Sequence, residues 1–418
     1  MKKKLYPWLI WLLGSTFMFY KFAIEVSPSV MTSDLMSTFQ INATDLGNLA
    51  ASYFYAYLLL QIPAGLLVDR FGPRKVTSIA ILVCALGTWI FSCSESLAWA
   101  TTGRFLSGAG AAFAAINCLK LIGNWFPKNQ FAFMAGLMMT VGMLGAVCGQ
   151  APLAQFIKMM EWREALFWIS GAGFLLSLLF FCIIRDGSKE SNSSLKGLKV
   201  TSGLKQILLK PQAWLLSIYS GLAFAPVSIF GGLWGVPFMM QNYGFEQIQA
   251  ANLVSLIFIG FAIGAPIAGW FSNFFGFHKP VMYWGISIAL LSITAILYIP
   301  LSLPLLTLSL LIFGASISCF LLCFTMIREI NTPILAATSV GFMNAFDALF
   351  GALSDPLTGK FLDMGWKGEM LNGARLFPIE VYKVALFTLP AYLLVSLILL
   401  IFIKETHTAQ VTNVTSTS

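Results

Sequence analysis

Charge is scarce in this chain. Asp, Glu, Lys and Arg make up only 10% of its 418 residues, where a soluble domain carries about 25%. So few charges cannot clothe a water-facing surface, and no stretch remains for a soluble domain. Histidine is almost missing too: His278 and His407 are the two, both outside the apolar runs. There is no H-E-x-x-H, no G-x-S-x-G and no Walker loop, which argues against an enzyme and against a nucleotide-driven pump. Nothing calls for a cofactor or a metal. Cys319 and Cys323 stand one helical turn apart, but no histidine or other thiol accompanies them. The seven cysteines are odd in number and all fall in apolar stretches, as small core residues do rather than a disulfide set.

What the chain has is apolar length. Residues of hydrophobic type make up 58%, and mean hydropathy is +0.82. A spanning helix takes roughly 20 apolar residues. Twelve such runs can be counted, the first over 7–30 and the last over 382–403. The expected fold is an all-α integral membrane protein of twelve transmembrane helices in two six-helix bundles, 1–184 and 213–404. Between them a flexible, basic linker covers 185–212, beginning Arg185-Asp186-Gly187-Ser188, and a disordered tail covers 405–418. The opening Lys2-Lys3-Lys4 before an apolar run looks like a signal peptide without a cleavage site, so the first helix stays. Placing these lysines in the cytoplasm puts sixteen Lys and Arg on that side and six outside. That bias predicts cytoplasmic termini in a bacterial inner membrane. The net charge of +8 is then topology, not a sign of nucleic acid.

The two halves repeat. Gly65-Leu66-Leu67-Val68-Asp69-Arg70-Phe71-Gly72-Pro73-Arg74-Lys75 recurs 204 residues later as Gly269 to Lys279, and each copy follows a proline, Pro63 or Pro266. Pro7 pairs with Pro211, and Gly136 with Gly341. Towards the end the offset grows to 220, which places an insertion in the loop around Asp363 to Pro378. Duplicated bundles put a binding site at their interface near the midplane and permit rocking about it.

At these residues the chain resembles the major facilitator superfamily. Gly65 to Lys75 fits the family's loop between helices 2 and 3, and Arg104-Phe105-Leu106-Ser107-Gly108-Ala109-Gly110 looks like its helix-4 pattern. Trp162-Arg163 matches the entry to helix 6. Ser107 stands where the family usually has Gln, and Asn273 replaces the acid in the second loop copy. The resemblance implies a secondary active transporter working by alternating access. It also implies that Asp69, Arg70, Gly72, Arg74 and Lys75 form a cytoplasmic gate. The stretch from Tyr20 to Met31 is similar to the phagosomal nutrient transporters of intracellular bacteria, which implies import of an amino acid or related metabolite.

Charges inside spans cost roughly 2.5–3.5 kcal/mol each on insertion scales and mark candidate function. Lys21 and Glu25, four apart on helix 1, share a face and can pair. With Arg104 they lie outward of the helix midpoints, and Asp347 falls near the middle of helix 11. Arg104 and Lys21 are expected to hold a substrate carboxylate. Glu25, Asp347 and Arg104 are the candidates for proton coupling, with one acid meeting a substrate amine. Asn344, Tyr20, Tyr53 and Trp234 are expected to line the cavity. Lys120 reads as a snorkelling residue, and Asp355 as a cap or loop anchor near the outer end of helix 11. The partners expected are a small-molecule substrate, protons and lipid, around a monomer. An organic-anion symporter, a drug exporter and a membrane sensor stand as alternatives.

Overall fold

The computed structural model describes residues 2–127, 130–185, 206–332 and 335–406, without the side chains of Lys2, Lys3, Lys4, Ile62, Leu66, Asp69, Ala132, Ala336 and Ala337. Most of the expected linker and tail, and the side chain of Asp69, lie outside the described residues. The first half holds α1 (Lys2–Val26), a short α2 (Thr32–Phe39), α3 (Ala43–Phe71), α4 (Pro73–Ser92), α5 (Leu97–Ala111), α6 (Ala114–Trp125), α7 (Phe131–Cys148) and α8 (Ala151–Ile183). The second opens with α9 (Pro211–Pro226), a π-helical stretch Val227–Trp234, α10 (Gly235–Tyr243), α11 (Gln247–Phe275) and α12 (Lys279–Tyr298). It continues through α13 (Leu303–Ile317), α14 (Leu322–Glu329), α15 (Ala336–Met364), α16 (Ile379–Ala385) and α17 (Thr388–Phe402).

Nine stretches of the described residues are long and apolar enough to cross a membrane. One of them, Phe133–Ile183, is two rods, because Met160 and Glu161 leave helical geometry and Glu161 takes φ 65. Helices α3 and α15 have 29 residues each, about 43 Å at 1.5 Å per residue, more than the ~30 Å hydrocarbon core. With these the crossing rods come to twelve.

Local chemistry sets the helix ends. Asn42 caps α3, its side chain accepting from Asp45 N at 2.8 Å. Glu246 and Gln249 form a capping box on α11. Pro226 lacks the N–H that an α-helix needs at its position, and the i→i+5 stretch begins directly after it. Where the expected insertion falls, Met370–Leu371 pairs antiparallel with Ala374–Arg375 around Asn372 and Gly373, whose φ values are +50 and +81. An Asn-Gly pair is the natural occupant of such a turn.

The repeat is visible in the packing. Gly108 of α5 sits so close to α3 that a Cβ would run into the Tyr53 carbonyl, and Gly314 of α13 stands the same way against the Ile257 carbonyl of α11. Small residues let the backbones touch. Between the halves α3 lies along α15, and α7 along α11. The rods run between a terminal face, where α1 begins and α17 ends, and a far face, carrying α2 and the hairpin. Asp355 does not anchor a loop: α15 continues past it to Met364, about 2.5 turns further, and the side chain is 2% exposed.

Candidate functional site

Helix α1 ends at Val26, leaving its last carbonyls without intrahelical donors. Arg104 of α5 supplies them, with Nη1 2.8 Å from Ile24 O and Nη2 3.3 Å from Glu25 O. A guanidinium here also meets the negative end of the helix dipole. Its Cζ lies 5.0 Å from the centre of the Tyr53 ring and 6.0 Å from that of Phe91. Arg104 thus clamps a helix end instead of reaching into open space.

One turn before that end, Lys21 and Glu25 form a buried ion pair. The Lys21 ammonium lies 3.7 Å from the Phe22 ring centre and 5.1 Å from that of Tyr57, so two π faces share its charge. In the opposite half, Asp347 of α15 accepts a hydrogen bond from Ser220 Oγ of α9 at 2.6 Å. Lys21, Glu25, Tyr57, Asn344 and Asp347 all line one cavity of about 250 Å³ between the bundles. The rest of its wall is apolar, chiefly methionines such as Met18, Met138 and Met143 and phenylalanines such as Phe224, Phe261 and Phe324.

The other expected lining residues do not reach this cavity. Tyr20 is buried inside the first bundle with its hydroxyl against Gly173 of α8. Tyr53 is fully buried, stacked on Tyr57 with ring centres 6.4 Å apart, its hydroxyl 3.5 Å from Lys21 O. Trp234 is 1% exposed at the end of the π-helical stretch. Tyr20 and Tyr53 pack within their own bundle, which aromatic bulk favours, while the stretch that ends in Trp234 also lies against α1 of the other bundle. Arg104 borders only a smaller recess beyond Glu25.

At the terminal face, Gly72 has φ +83 between α3 and α4. Arg74 Nε donates to Phe181 O at 2.9 Å, with its guanidinium over the Phe181 ring at 4.7 Å. Arg70 lies 5.2 Å from the Phe71 ring, and Lys75 is exposed. Lys120 Nζ reaches back to Val68 O at 3.5 Å.

The far face is closed by a seam with little signature in the sequence. Gln150 accepts from Ser29 Oγ at 2.9 Å and donates to Gly231 O of the π-helical stretch at 2.5 Å. Gln247 donates to Val30 O. Tyr55 donates to Ala352 O at 3.4 Å, the carbonyl that Pro356 leaves without its helical partner. Asp363 receives the amides of Ala43 and Thr44. The position of Pro356, four after Ala352, was the one readable signal.

Residues 12–354 match the pattern that defines the Major Facilitator Superfamily. This chain belongs to that family. Among curated relatives, it is 23% identical over 286 residues to the probable galactarate/D-glucarate transporter GarP of Escherichia coli K12, covering 60% of this chain and 64% of that one. It is 21% identical over 366 residues to the probable sulfoacetate transporter SauU of Cupriavidus necator, covering 85% and 80%. The chain spans less than two thirds of the length of the first relatives it matches. A solved bacterial homologue of the human lysosomal transporter Spinster overlays with a TM-score of 0.75 at 17% identity, covering 95% of each chain. Family membership and the overlay make this a multi-pass membrane chain of the major facilitator fold.

Proposed function

We propose that this chain is a proton-coupled symporter for a small zwitterion, an amino acid with an apolar side chain. One observation carries the reading: Lys21 with Glu25 from one bundle and Asp347 from the other border a single cavity whose remaining wall, Tyr57 and Asn344 apart, is apolar. A carboxylate meets Lys21, an ammonium meets Asp347, and the methionine and phenylalanine wall takes the side chain. Arg104 supports the site by fixing the end of the helix that carries Lys21 and Glu25. The sealed far face and the lysine and arginine bias support termini in the cytoplasm of a bacterial inner membrane, with Asp69 to Lys75 as the gate on that side. The working unit is taken as a monomer.

The names of GarP and SauU favour a second reading, an organic-anion symporter. A polyhydroxylated diacid needs a partner for every hydroxyl, and each buried polar group left unmade costs about 1–3 kcal/mol. The cavity offers five polar side chains, two already paired with each other. A drug exporter would instead bind a bulky cation on Asp347.

The test is a thermal-shift screen of the purified chain against the twenty amino acids, galactarate, sulfoacetate and tetraphenylphosphonium, followed by uptake of the hits into proteoliposomes under an imposed pH gradient. Stabilisation by an apolar amino acid, and its accumulation only with the gradient, is the expected result. Stabilisation by the anions alone, or by the cation alone, replaces it with the corresponding alternative.

A further inference from the structure

Beyond Glu25, towards the far face, a recess of about 20 Å³ lies between the bundles. It has room for one water molecule, which needs about 10–15 Å³ and two to four polar partners. Its polar lining is Glu25 and Arg104 from the first bundle and Ser228 and Asp355 from the second. Apart from Glu25 Oε2, which is ion-paired with Lys21, three of these offer a deeply buried atom with no hydrogen-bond partner among the described residues: Arg104 Nε, Ser228 Oγ and Asp355 Oδ1. Asp355 is 2% exposed and Arg104 1%. Three orphaned polar atoms from three helical segments around one water-sized space are costly unless something satisfies them. A donor, an acceptor and a hydroxyl that can be either suit water. A guanidinium among them disfavours a metal cation.

We propose that the recess is a buried water site, and that Asp355 is a proton-carrying group of the transport cycle, exchanging its proton with Glu25 through that water. Glu25 borders both the substrate cavity and the recess, so a proton given up by its carboxyl passes to the water while the water passes one of its own to the Asp355 carboxylate. Arg104, which belongs to the other bundle, is the cation that shares the recess with Asp355. Rocking that opens the far face takes the two apart, and the carboxylate then favours a proton over an isolated charge. This inference rests on the proton-coupled reading above, and its test needs no substrate.

The experiment is infrared spectroscopy of the full chain in nanodiscs, titrated with pH in H2O and D2O, on the wild type and the variants D355N, S228A and D347N. A protonated-carboxyl band that titrates, is lost in D355N, is retained in D347N and is displaced by S228A is the expected outcome. An unchanged spectrum in D355N excludes Asp355 as a proton carrier. Should D355N fail to fold, S228A decides alone, because it leaves the acid in place and removes one partner of the water; no displacement of any titrating band overturns the water site. If these bands behave as expected while uptake ignores the pH gradient, the fault lies with the proton-coupled reading and not with the recess.

Discussion

Asp363, at the far end of α15, caps a helix of the opposite bundle: its carboxylate accepts from Thr44 N at 2.8 Å, Thr44 Oγ1 at 2.6 Å and Ala43 N at 3.0 Å, in the first turn of α3. Arg375 of the hairpin holds the same carboxylate at 3.0 Å. Losing such a cap costs about 1 kcal/mol, or roughly a factor of five in a two-state balance. D363A is expected to shift the population towards an open far face by about that factor. The rate at which Ala50→Cys, buried here, reacts with a membrane-impermeant maleimide in a cysteine-free background reads it. An unchanged rate would remove Asp363 as a latch.

The buried pair on α1 makes a second prediction. K21M leaves Glu25 as an uncompensated charge, which costs about 3–5 kcal/mol. Its melting temperature should fall sharply, and that of K21M/E25L should recover while uptake stays absent. If the double variant transports normally, the pair is only a helix fastener.

Ser220 donates to Asp347 and touches nothing else in the cavity's charge arrangement. A hydrogen bond to a charged group contributes about 1.5–3 kcal/mol. In S220A, saturation of uptake should require on the order of tenfold more of whichever amino acid the thermal screen selects, and the melting temperature should fall. Equal half-saturation in the two proteins would take Asp347 out of substrate contact.

Asp34 of α2 lies outside the spans, where burial, and after it the charge of Glu161, raises its pKa from the ordinary 3.8. The folded chain therefore binds this proton more tightly than the unfolded one, so stability is present at low pH and is lost as pH rises past the ordinary carboxyl range. D34N should melt higher than the wild type at pH 7, and the gap should close near pH 4. A gap independent of pH would assign the effect to packing.

Much of this was legible before any coordinates, for a physical reason. Hydrocarbon forbids unpaired backbone, so apolar length alone predicts the rods, and the glycine loop at 65–75 with its copy at 269–279 predicts their duplication. Lys21, Glu25 and Asp347 were readable because charge in a span is rare. What a sequence does not carry is azimuth. Tyr20 and Tyr53 sit at suitable depth but face their own bundle, Trp234 is buried away from the cavity, and Arg104 spends its hydrogen bonds on a helix end. Asp355 was misplaced because Asp-Pro looks like a terminus, whereas α15 tolerates Pro356 and carries on to Met364. The far-face seam is written in Gln150, Gln247, Ser29 and Thr44, residue types common enough to give no warning.

The single ion pair in the chamber sums to zero, so with every acid ionised Asp347 leaves the cavity wall one negative charge in surplus. A zwitterion entering keeps that balance as it was. A monoanion doubles it in a medium that solvates neither charge, unless a proton arrives in the same step. On the symporter reading proposed above, electroneutrality, more than shape, sets which solutes are admitted.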